Sequence, residues 1–226
     1  MNMDRLRQVD RGSNVATRLP SHFSDNASAF AAIASLYTRP GMTVCDATYG
    51  KGVFWRNIDT SQFTRLFTDI VTDGVDMREL PYPDESIDLI VLDPPYRYNP
   101  ATATHPAGLD ENYRVAVAPK NILGVIDLYL DGAREAHRTL REGGFLVVKC
   151  QDTIQDGRQF WVHMALTQDI EEMGFALKDL AVVVGRSKRV RWKVQKHLDK
   201  THSYFLVFRK GGLWPFGQVS SQARGA

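Results

Sequence analysis

The sequence predicts an α/β protein, a doubly wound and mostly parallel sheet in a single domain. Short apolar runs rich in valine, isoleucine and leucine alternate with amphipathic stretches of helical length, which is typical of crossover units in a parallel sheet. A basic segment instead of a helix separates the last two apolar runs, so we expect these two strands to be antiparallel. A chain of 226 residues, 43% hydrophobic and 24% charged, can bury one core of this size.

The N-terminal half is expected to contain a helix, a glycine turn and three strands. The helix is 25–37 (DNASAFAAIASLY), with Ser24 or Asp25 as its N-cap and Arg39-Pro40-Gly41 after its end. The predicted strands are 42–48, 65–70 and 86–93, and 53–58 begins a second helix after the glycine turn. Pro94 and Pro95 end the third strand, because proline donates no hydrogen bond to a ladder.

The C-terminal half continues the alternation. Its predicted helices are 121–144, stopped by Gly143-Gly144, and 159–175, and its predicted strands are 145–150, 177–185 and 203–210. The polar stretch 97–120 is too long for a plain connection and is interpreted as a substrate loop. The domain organisation that follows is an N-terminal arm over 1–18, one domain over 19–211 and a tail over 212–226.

Composition excludes several classes of protein. No apolar stretch is long enough to span a bilayer and the N-terminus lacks an apolar signal core, so we expect a cytoplasmic protein with no membrane partner. Cys45 and Cys150 fall in predicted buried strands and are interpreted as core residues. No cysteine and histidine cluster has zinc spacing, so no metal site is predicted. The sequence does not decide the oligomeric state.

A dense basic segment over 185–200 indicates a nucleic-acid contact. Basic side chains interleaved with an aromatic residue suit a phosphate backbone and a stacked base. The alternative is a solvated edge strand that lysine and arginine protect from aggregation. The candidate nucleic-acid-binding residues are Arg186, Lys188, Arg189, Arg191, Trp192, Lys193 and Lys196.

Three acids at successive predicted strand ends suggest a nucleoside site. Asp46 ends the first strand and precedes Gly50 and Gly52, which allow a ligand close to the backbone. Asp69 ends the next strand and is placed to accept the hydroxyls of a ribose. An acid at position 46 would repel a pyrophosphate and suits a sulfonium, which favours S-adenosylmethionine over a nicotinamide dinucleotide.

The third acid, Asp76, starts a loop that could bond an adenine amino group, with Met77 packed on the ring. Each acid alone is better explained as a turn residue or a helix cap; the series of three favours a site. The candidate cofactor-binding residues are Asp46, Ala47, Thr48, Gly50, Gly52, Asp69, Ile70, Asp76 and Met77.

The motifs DATYGKG, TDI, DMRELP and DPPY resemble those of class I S-adenosylmethionine-dependent DNA amino-methyltransferases, over roughly residues 20 to 210. The cofactor region precedes the DPPY motif, as in the small phage and bacterial enzymes. The resemblance implies a Rossmann-like sheet of seven strands, S-adenosyl-L-methionine as cofactor and DNA as partner. The sequence departs from the pattern in having DATYGKG where Phe-x-Gly-x-Gly is commoner, and we expect no separate target-recognition domain after the DPPY motif.

By resemblance, residues 93–96 are catalytic. Asp93 and the carbonyl of Pro94 accept hydrogen bonds from the target amine, Pro95 stiffens the mount, and Tyr96 stacks on a base that has left the duplex. An Asp at the first position favours adenine N6 as the target. Cytosine N4, RNA (guanine N2 or adenine N6) and a non-enzymatic binding module stay as alternatives. Lys149, Gln151 and Asp152, which follow a strand at the same sheet edge, are further candidates for substrate contact.

The basic segment yields the first prediction. Replacing Arg189 and Arg191 by glutamate should weaken binding to a DNA oligonucleotide and flatten the dependence of log Kd on log salt by about one unit per lost phosphate contact. Fluorescence anisotropy between 50 and 200 mM salt, as in ordinary salt-slope measurements, provides the test. An unchanged slope would favour the edge-protection alternative.

Overall fold

The computed structural model describes residues 18–96, 119, 121–185, 196–198 and 200–211. These contain three α-helices, which we label α1 (Asn26–Tyr37), α2 (Ile122–Thr139) and α3 (Val162–Glu172). Two short 3-10 helices lie at Val53–Asn57 and Thr60–Gln62. The strands are β1 (His22–Phe23), β2 (Thr43–Asp46), β3 (Thr64–Phe67), β4 (Ile87–Leu92), β5 (Leu140–Cys150), β6 (Thr153–Gln155), β7 (Arg158–Phe160), β8 (Phe175–Val184) and β9 (His202–Lys210).

Seven strands form one mostly parallel sheet, in the order β1-β8-β9-β5-β4-β2-β3. β9 runs antiparallel to both of its neighbours, β5 and β8, and every other pair in the sheet is parallel. β6 and β7 form a separate antiparallel hairpin. The predicted fold class is therefore confirmed, including the antiparallel pair formed by the last two strands.

Helices cover both faces of this sheet. On one face α2 and α3 pack over residues such as Ile90 and Leu146. On the other, α1 and the 3-10 helix after β2 pack over Leu89, Val91 and Val147. Because side chains alternate along a strand, the central strands contribute to both cores, which explains their continuous apolar runs.

The helix predicted over 121–144 is shorter than expected. It ends at Thr139, and Leu140 pairs with Ile87 as the first residue of β5. Gly143 and Gly144 lie within this strand, next to a register shift between Ile87 and Leu89. The pairing of the buried Leu140 with β4 thus outweighs the helical pattern, and the glycine pair is not the helix stop.

Two other predicted helices also change. The stretch after the glycine turn forms the five-residue 3-10 helix Val53–Asn57 instead of the start of an α-helix. α3 begins at Val162, because Arg158–Phe160 pair with Thr153–Gln155 as a hairpin. The N-terminal helix agrees with prediction, and Asp25 is its N-cap, accepting a hydrogen bond from Ser28 N at 2.8 Å.

Both cysteines are free and lie in buried strands, as predicted. Burial raises the pKa of each thiol far above its usual value. Within the described ranges, no helix is both long and apolar enough to cross a membrane. The same part of the chain contains no group of three or more histidine, cysteine or acidic side chains that could hold a metal ion.

Several predicted segments lie mostly outside the described residues. These are 1–17 of the arm, 97–118 and 120 of the substrate loop, 186–195 and 199 of the basic segment, and the tail 212–226. Their assignments, and the domain boundaries drawn from them, stay predictions.

The glycine turn after β2 gives the second prediction. Gly52 has a φ of 63°, and a Cβ there would lie 2.5 Å from the hydroxyl oxygen of Tyr49, whose ring stacks on Phe67 at 4.9 Å. Gly74 has a similar φ of 68°, but a Cβ at that position would have nothing within 4 Å, so it is a matched control. We expect Gly74→Ala to cost about 1–2 kcal/mol for its left-handed backbone.

Gly52→Ala should cost about 1–3 kcal/mol more, since the Tyr49 ring must move. Urea denaturation of both variants measures the difference. Equal free energies of unfolding would mean that the ring contact does not require glycine at position 52.

Candidate active site

The carboxyl ends of β2, β3 and β4 meet at one edge of the sheet. Asp46 pairs in register with Phe67 of β3 and Val91 of β4, so the residues that follow each strand are neighbours. A cavity with about 340 Å³ of empty space, partly open to solvent, lies at this edge. This is where ligands bind in open α/β sheets. Its lining residues are Ala47, Thr48, Asp69, Ile70, Asp76, Met77, Pro94, Pro95 and Leu128.

Six of the nine candidate cofactor residues line this cavity: Ala47, Thr48, Asp69, Ile70, Asp76 and Met77. The other three, Asp46, Gly50 and Gly52, are not among its lining residues. A Cβ at Gly52 would meet the Tyr49 ring, which is a reason for glycine at this position besides the approach of a ligand. The structure therefore places most of the predicted cofactor region around one cavity, but not the acid and glycines that first suggested it.

Asp69 is the buried acid of the cavity wall, with 3% of its surface exposed. Its Oδ2 accepts a hydrogen bond from Gly50 N at 3.2 Å and its Oδ1 accepts one from Val71 N at 2.8 Å. Asp69 thus joins the glycine turn to the loop after β3. It is at the same time the carboxylate best placed to meet hydroxyl groups inside the cavity.

Asp76 is held by its neighbour Arg78. The Arg78 Nε donates to both carboxylate oxygens, at 2.9 and 3.1 Å, and Arg78 N donates to Oδ1 at 2.9 Å. The hydrogen bonds from Arg78 lower the pKa of Asp76. The expected bond from Asp76 to an adenine amino group would therefore compete with this bidentate pair, although the residue does line the cavity.

The carboxylate of Asp46, which was predicted to bind the cofactor, is hydrogen-bonded within the protein. Its Oδ2 accepts from Trp55 Nε1 at 2.7 Å and its Oδ1 accepts from Thr48 N at 3.1 Å. Burial raises its pKa to about 6, although the bonds from Trp55 and Thr48 lower it. Asp46 lies on the α1 face of the sheet and holds the turn in place.

Thr48 connects the cofactor turn to the DPPY motif. Its hydroxyl donates to Asp46 Oδ1 at 3.4 Å and accepts from Asp93 N at 2.8 Å. The side chain of Thr48, in the turn after β2, thus fixes the backbone of Asp93 relative to the cavity. Sequence reasoning placed Thr48 at the cofactor but gave no sign of this link.

The Asp93 carboxylate is a buried acceptor without a partner. Its Oδ1 is sealed from solvent, and in the described part of the chain it accepts no hydrogen bond. Burial is the main cause that raises the pKa of Asp93 to about 8; Lys149 lowers it and Asp46 raises it further. Such an atom costs stability unless something donates to it, so Asp93 is able to receive a donor that the described residues do not supply.

Tyr129 positions the carbonyl groups beside Asp93. This fully buried residue of α2 directs its hydroxyl to Lys149 O at 2.6 Å and to Pro94 O at 3.3 Å. Sequence reasoning missed Tyr129, because a tyrosine on the apolar face of a helix is indistinguishable from a core residue. The only available signal was its hydroxyl, which needs a partner when buried.

Only some of the remaining predicted site residues lie in the described part of the chain. Pro94 is buried, and Pro95 and Tyr96 are half-buried. Lys196 is exposed. The other six candidate nucleic-acid-binding residues lie outside the described part of the chain: Arg186, Lys188, Arg189, Arg191, Trp192 and Lys193.

A family model for DNA methylases, N6_N4_Mtase, matches residues 87–222, which is more than half of the sequence. The chain belongs to this DNA methylase family. The resemblance drawn from the motifs is thereby confirmed at the level of the family. None of the curated proteins matches this sequence.

Solved structures of methyltransferases also resemble the DNA methylase. A protein described as a DNA modification methylase from Thermus thermophilus, in complex with S-adenosyl-L-methionine, shares 22% identity over 62% of this chain and 52% of its own, with a TM-score of 0.41. The cytosine-N4-specific PvuII DNA methyltransferase shares 22% over 62% and 48%, with a TM-score of 0.43. A methyltransferase from Methanosarcina mazei shares 11% over 79% and 96%, with a TM-score of 0.46. The chain spans about half the length of the Thermus methylase.

The buried carboxyl of Asp93 gives the third prediction. Its pKa rises from 3.8 to about 8 on folding, so the folded protein retains a proton that the unfolded chain releases above about pH 4. As the pH rises from about 4 to about 8, Asp93 therefore lowers the free energy of unfolding progressively. Asp93→Asn should gain stability relative to wild type as the pH rises from about 5 to about 8.

Thermal unfolding at the two pH values measures this gain, expected at about 2 °C or more. Asp127→Asn, which removes an exposed carboxylate from α2, is the control. A difference between wild type and Asp93→Asn that is the same at both pH values would contradict the burial of a protonated Asp93.

Proposed function

We propose that this DNA methylase transfers a methyl group from S-adenosyl-L-methionine to the N6 amino group of adenine in DNA. The observation that carries the proposal is the buried Oδ1 of Asp93, which accepts no hydrogen bond from the described residues. The next residue, Pro94, has a carbonyl that Tyr129 contacts. An NH2 group has two hydrogens to donate and could use both acceptors. The family model supplies the reaction class.

The cavity fits the nucleoside part of this cofactor. Its wall combines apolar side chains, Met77 and Leu128 among them, with the buried carboxylate of Asp69. Apolar walls suit a base and a carboxylate suits ribose hydroxyls. When bound, S-adenosyl-L-methionine supplies an activated methyl group on a sulfonium. Asp69, Ile70, Asp76 and Met77 would hold its nucleoside, and Ala47 and Thr48 lie at the side of the cavity towards Asp93.

Asp93 and Pro94 orient the amine. The exocyclic amine is a poor nucleophile, because its lone pair is delocalised into the ring. A hydrogen bond to Asp93 Oδ1 and a second to Pro94 O would hold its nitrogen towards tetrahedral geometry. Thr48 fixes the Asp93 backbone and Tyr129 restrains the Pro94 carbonyl, so both acceptors are held before substrate arrives. Alignment of the reacting groups is the main contribution of the protein.

The amine loses a proton in the reaction, and Asp93 is placed to hold it. An acid whose pKa lies at about 8 binds a proton readily near neutral pH, and the Oδ1 atom would already face the nitrogen. Transfer should be faster where Asp93 begins as the carboxylate, since only the ionised group accepts both the hydrogen bond and the proton.

DNA as the substrate requires the base to leave the duplex. Tyr96 follows directly on the two prolines and would stack on the extruded base, which offsets part of an unstacking cost of a few kcal/mol. The basic segment 185–200 and the loop 97–120 would grip the strand. Cytosine N4 is the second candidate target, because the family model covers both N6 and N4 methylases.

The fourth prediction tests Asp93 and the substrate together. Labelled S-adenosyl-L-methionine is incubated with unmethylated DNA and, in parallel, with unmodified RNA, and the digested nucleosides are identified by mass spectrometry. Wild type should yield N6-methyladenine from DNA. Asp93→Ala should lower transfer by about 100-fold or more, as expected for loss of one aligned polar group in the transition state. Calorimetry should show cofactor binding nearly unchanged.

Asp127→Ala is the matched control, since this acid is exposed on α2. N4-methylcytosine in the digest would keep the mechanism and correct the base, and label found only in RNA would correct the substrate. Bound cofactor without transfer to either nucleic acid would favour a binding module. Full activity of Asp93→Ala would remove Asp93 from the mechanism.

A further inference from the structure

Lys149 is a buried cation that forms no salt bridge with the described residues. It lies on β5 with 2% of its surface exposed. Its Nζ donates a hydrogen bond to Ser203 Oγ and lies 4.9 Å from the centre of the Phe205 ring. In the described ranges no carboxylate is within ion-pair distance of it. A hydroxyl and an aromatic face are weak compensation for removing an ammonium from water.

The register of the sheet puts Lys149 beside Asp93. Leu92 of β4 pairs with Val148 of β5 in parallel, and Asp93 and Lys149 are each one residue further on. Side chains at matched positions of neighbouring parallel strands share a face. Val91 lies two residues before Asp93, and Val147 lies two residues before Lys149. Both valines pack in one cluster with Phe205. Asp93 and Lys149 therefore continue the same face, where the carboxylate and the ammonium attract each other without touching.

We propose that Lys149 is the counter-charge of Asp93, a positioning residue that favours the carboxylate form of Asp93 and so determines the lower pH limit of methyl transfer. The effect of Lys149 on methyl transfer rests on the proposed function. The charge pair itself depends only on the geometry of β4 and β5.

The charged and titratable groups around the pair act in opposite directions. Asp46, from β2, raises the pKa of Asp93 together with burial, and only Lys149 lowers it. Burial lowers the pKa of Lys149, whereas Asp93 and the thiol of Cys150 raise it. Tyr129, from α2, and Ser203, from β9, contribute hydroxyl groups at the backbone and at Nζ. Without Lys149, burial and Asp46 would both oppose ionisation of Asp93.

The fifth prediction is a direct titration. In protein labelled with 13C at the aspartate carboxyl carbons, the Asp93 signal is identified by its loss in Asp93→Asn, and its midpoint is measured by NMR. Lys149→Met, which removes the charge but keeps an unbranched side chain, should raise this midpoint by about 1–2 pH units, the usual effect of a nearby opposite charge. Ser203→Ala is the matched control, because it removes the Nζ contact and keeps the charge; its midpoint should stay at the wild-type value.

The reciprocal titration applies if Lys149→Met does not fold. In Asp93→Asn, the 13Cε signal of Lys149 should titrate about 1–2 pH units lower than in wild type, since the coupling between two sites is mutual. Unchanged midpoints in the variants that fold would overturn the charge pair.

The pH dependence of transfer tests the catalytic part. In Lys149→Met the acid limb of the kcat/KM profile on DNA should move upward by the same amount as the NMR midpoint, which lowers the rate at pH 7 by about 10-fold or more. A moved NMR midpoint with an unmoved acid limb would overturn the role in transfer. If wild type transfers no methyl group, the proposed function fails while the titrations still decide the charge pair.

Discussion

The parallel pairing of β2 with β4, locked by the hydroxyl of Thr48, is the constraint on which the site depends. Two distant parts of the chain, the turn after β2 and the DPPY motif, meet because their strands are neighbours in the sheet. Thr48 then joins them through Asp46 on one side and Asp93 N on the other. The cavity and the proposed amine acceptors are consequently held at a constant distance from each other, which is what a transfer between two bound molecules requires.

A second constraint is electrostatic. The α1 face of the sheet carries Asp46, Asp93 and Lys149 in a poorly hydrated environment. Among the described residues Asp46 has several hydrogen-bond donors, whereas Asp93 Oδ1 has none. Folding alone would favour apolar side chains at such positions. A buried acid and a buried lysine that do not satisfy each other indicate that this region is arranged for a ligand, since perturbed groups of this kind concentrate at functional sites.

Sequence reasoning succeeded where local patterns and strand order were sufficient. Alternating apolar runs predicted the sheet, the antiparallel last pair and the N-cap Asp25. Most cofactor candidates reached one cavity because acids and small residues at the ends of parallel strands necessarily meet. Sequence reasoning failed at Leu140 and at the Arg158–Phe160 hairpin, where a contact outside the local pattern outweighed the local signal. It also gave no sign of the bond between Trp55 and Asp46.

The sequence by itself therefore determined the fold class, the family motifs and the sheet edge at which the site lies, because all three depend on short-range periodicity and on the order of elements. Only the tertiary structure decided that Asp69 and Asp76 line the cavity. It also decided that Trp55 holds Asp46, that Arg78 holds Asp76, and that Asp93 Oδ1 has no donor among the described residues. The same is true of Tyr129 and Lys149, whose roles come from contacts with residues far along the chain, Pro94 and Ser203. Burial and partner geometry set the chemistry of an ionisable group, and neither can be obtained from the identity of the residue alone.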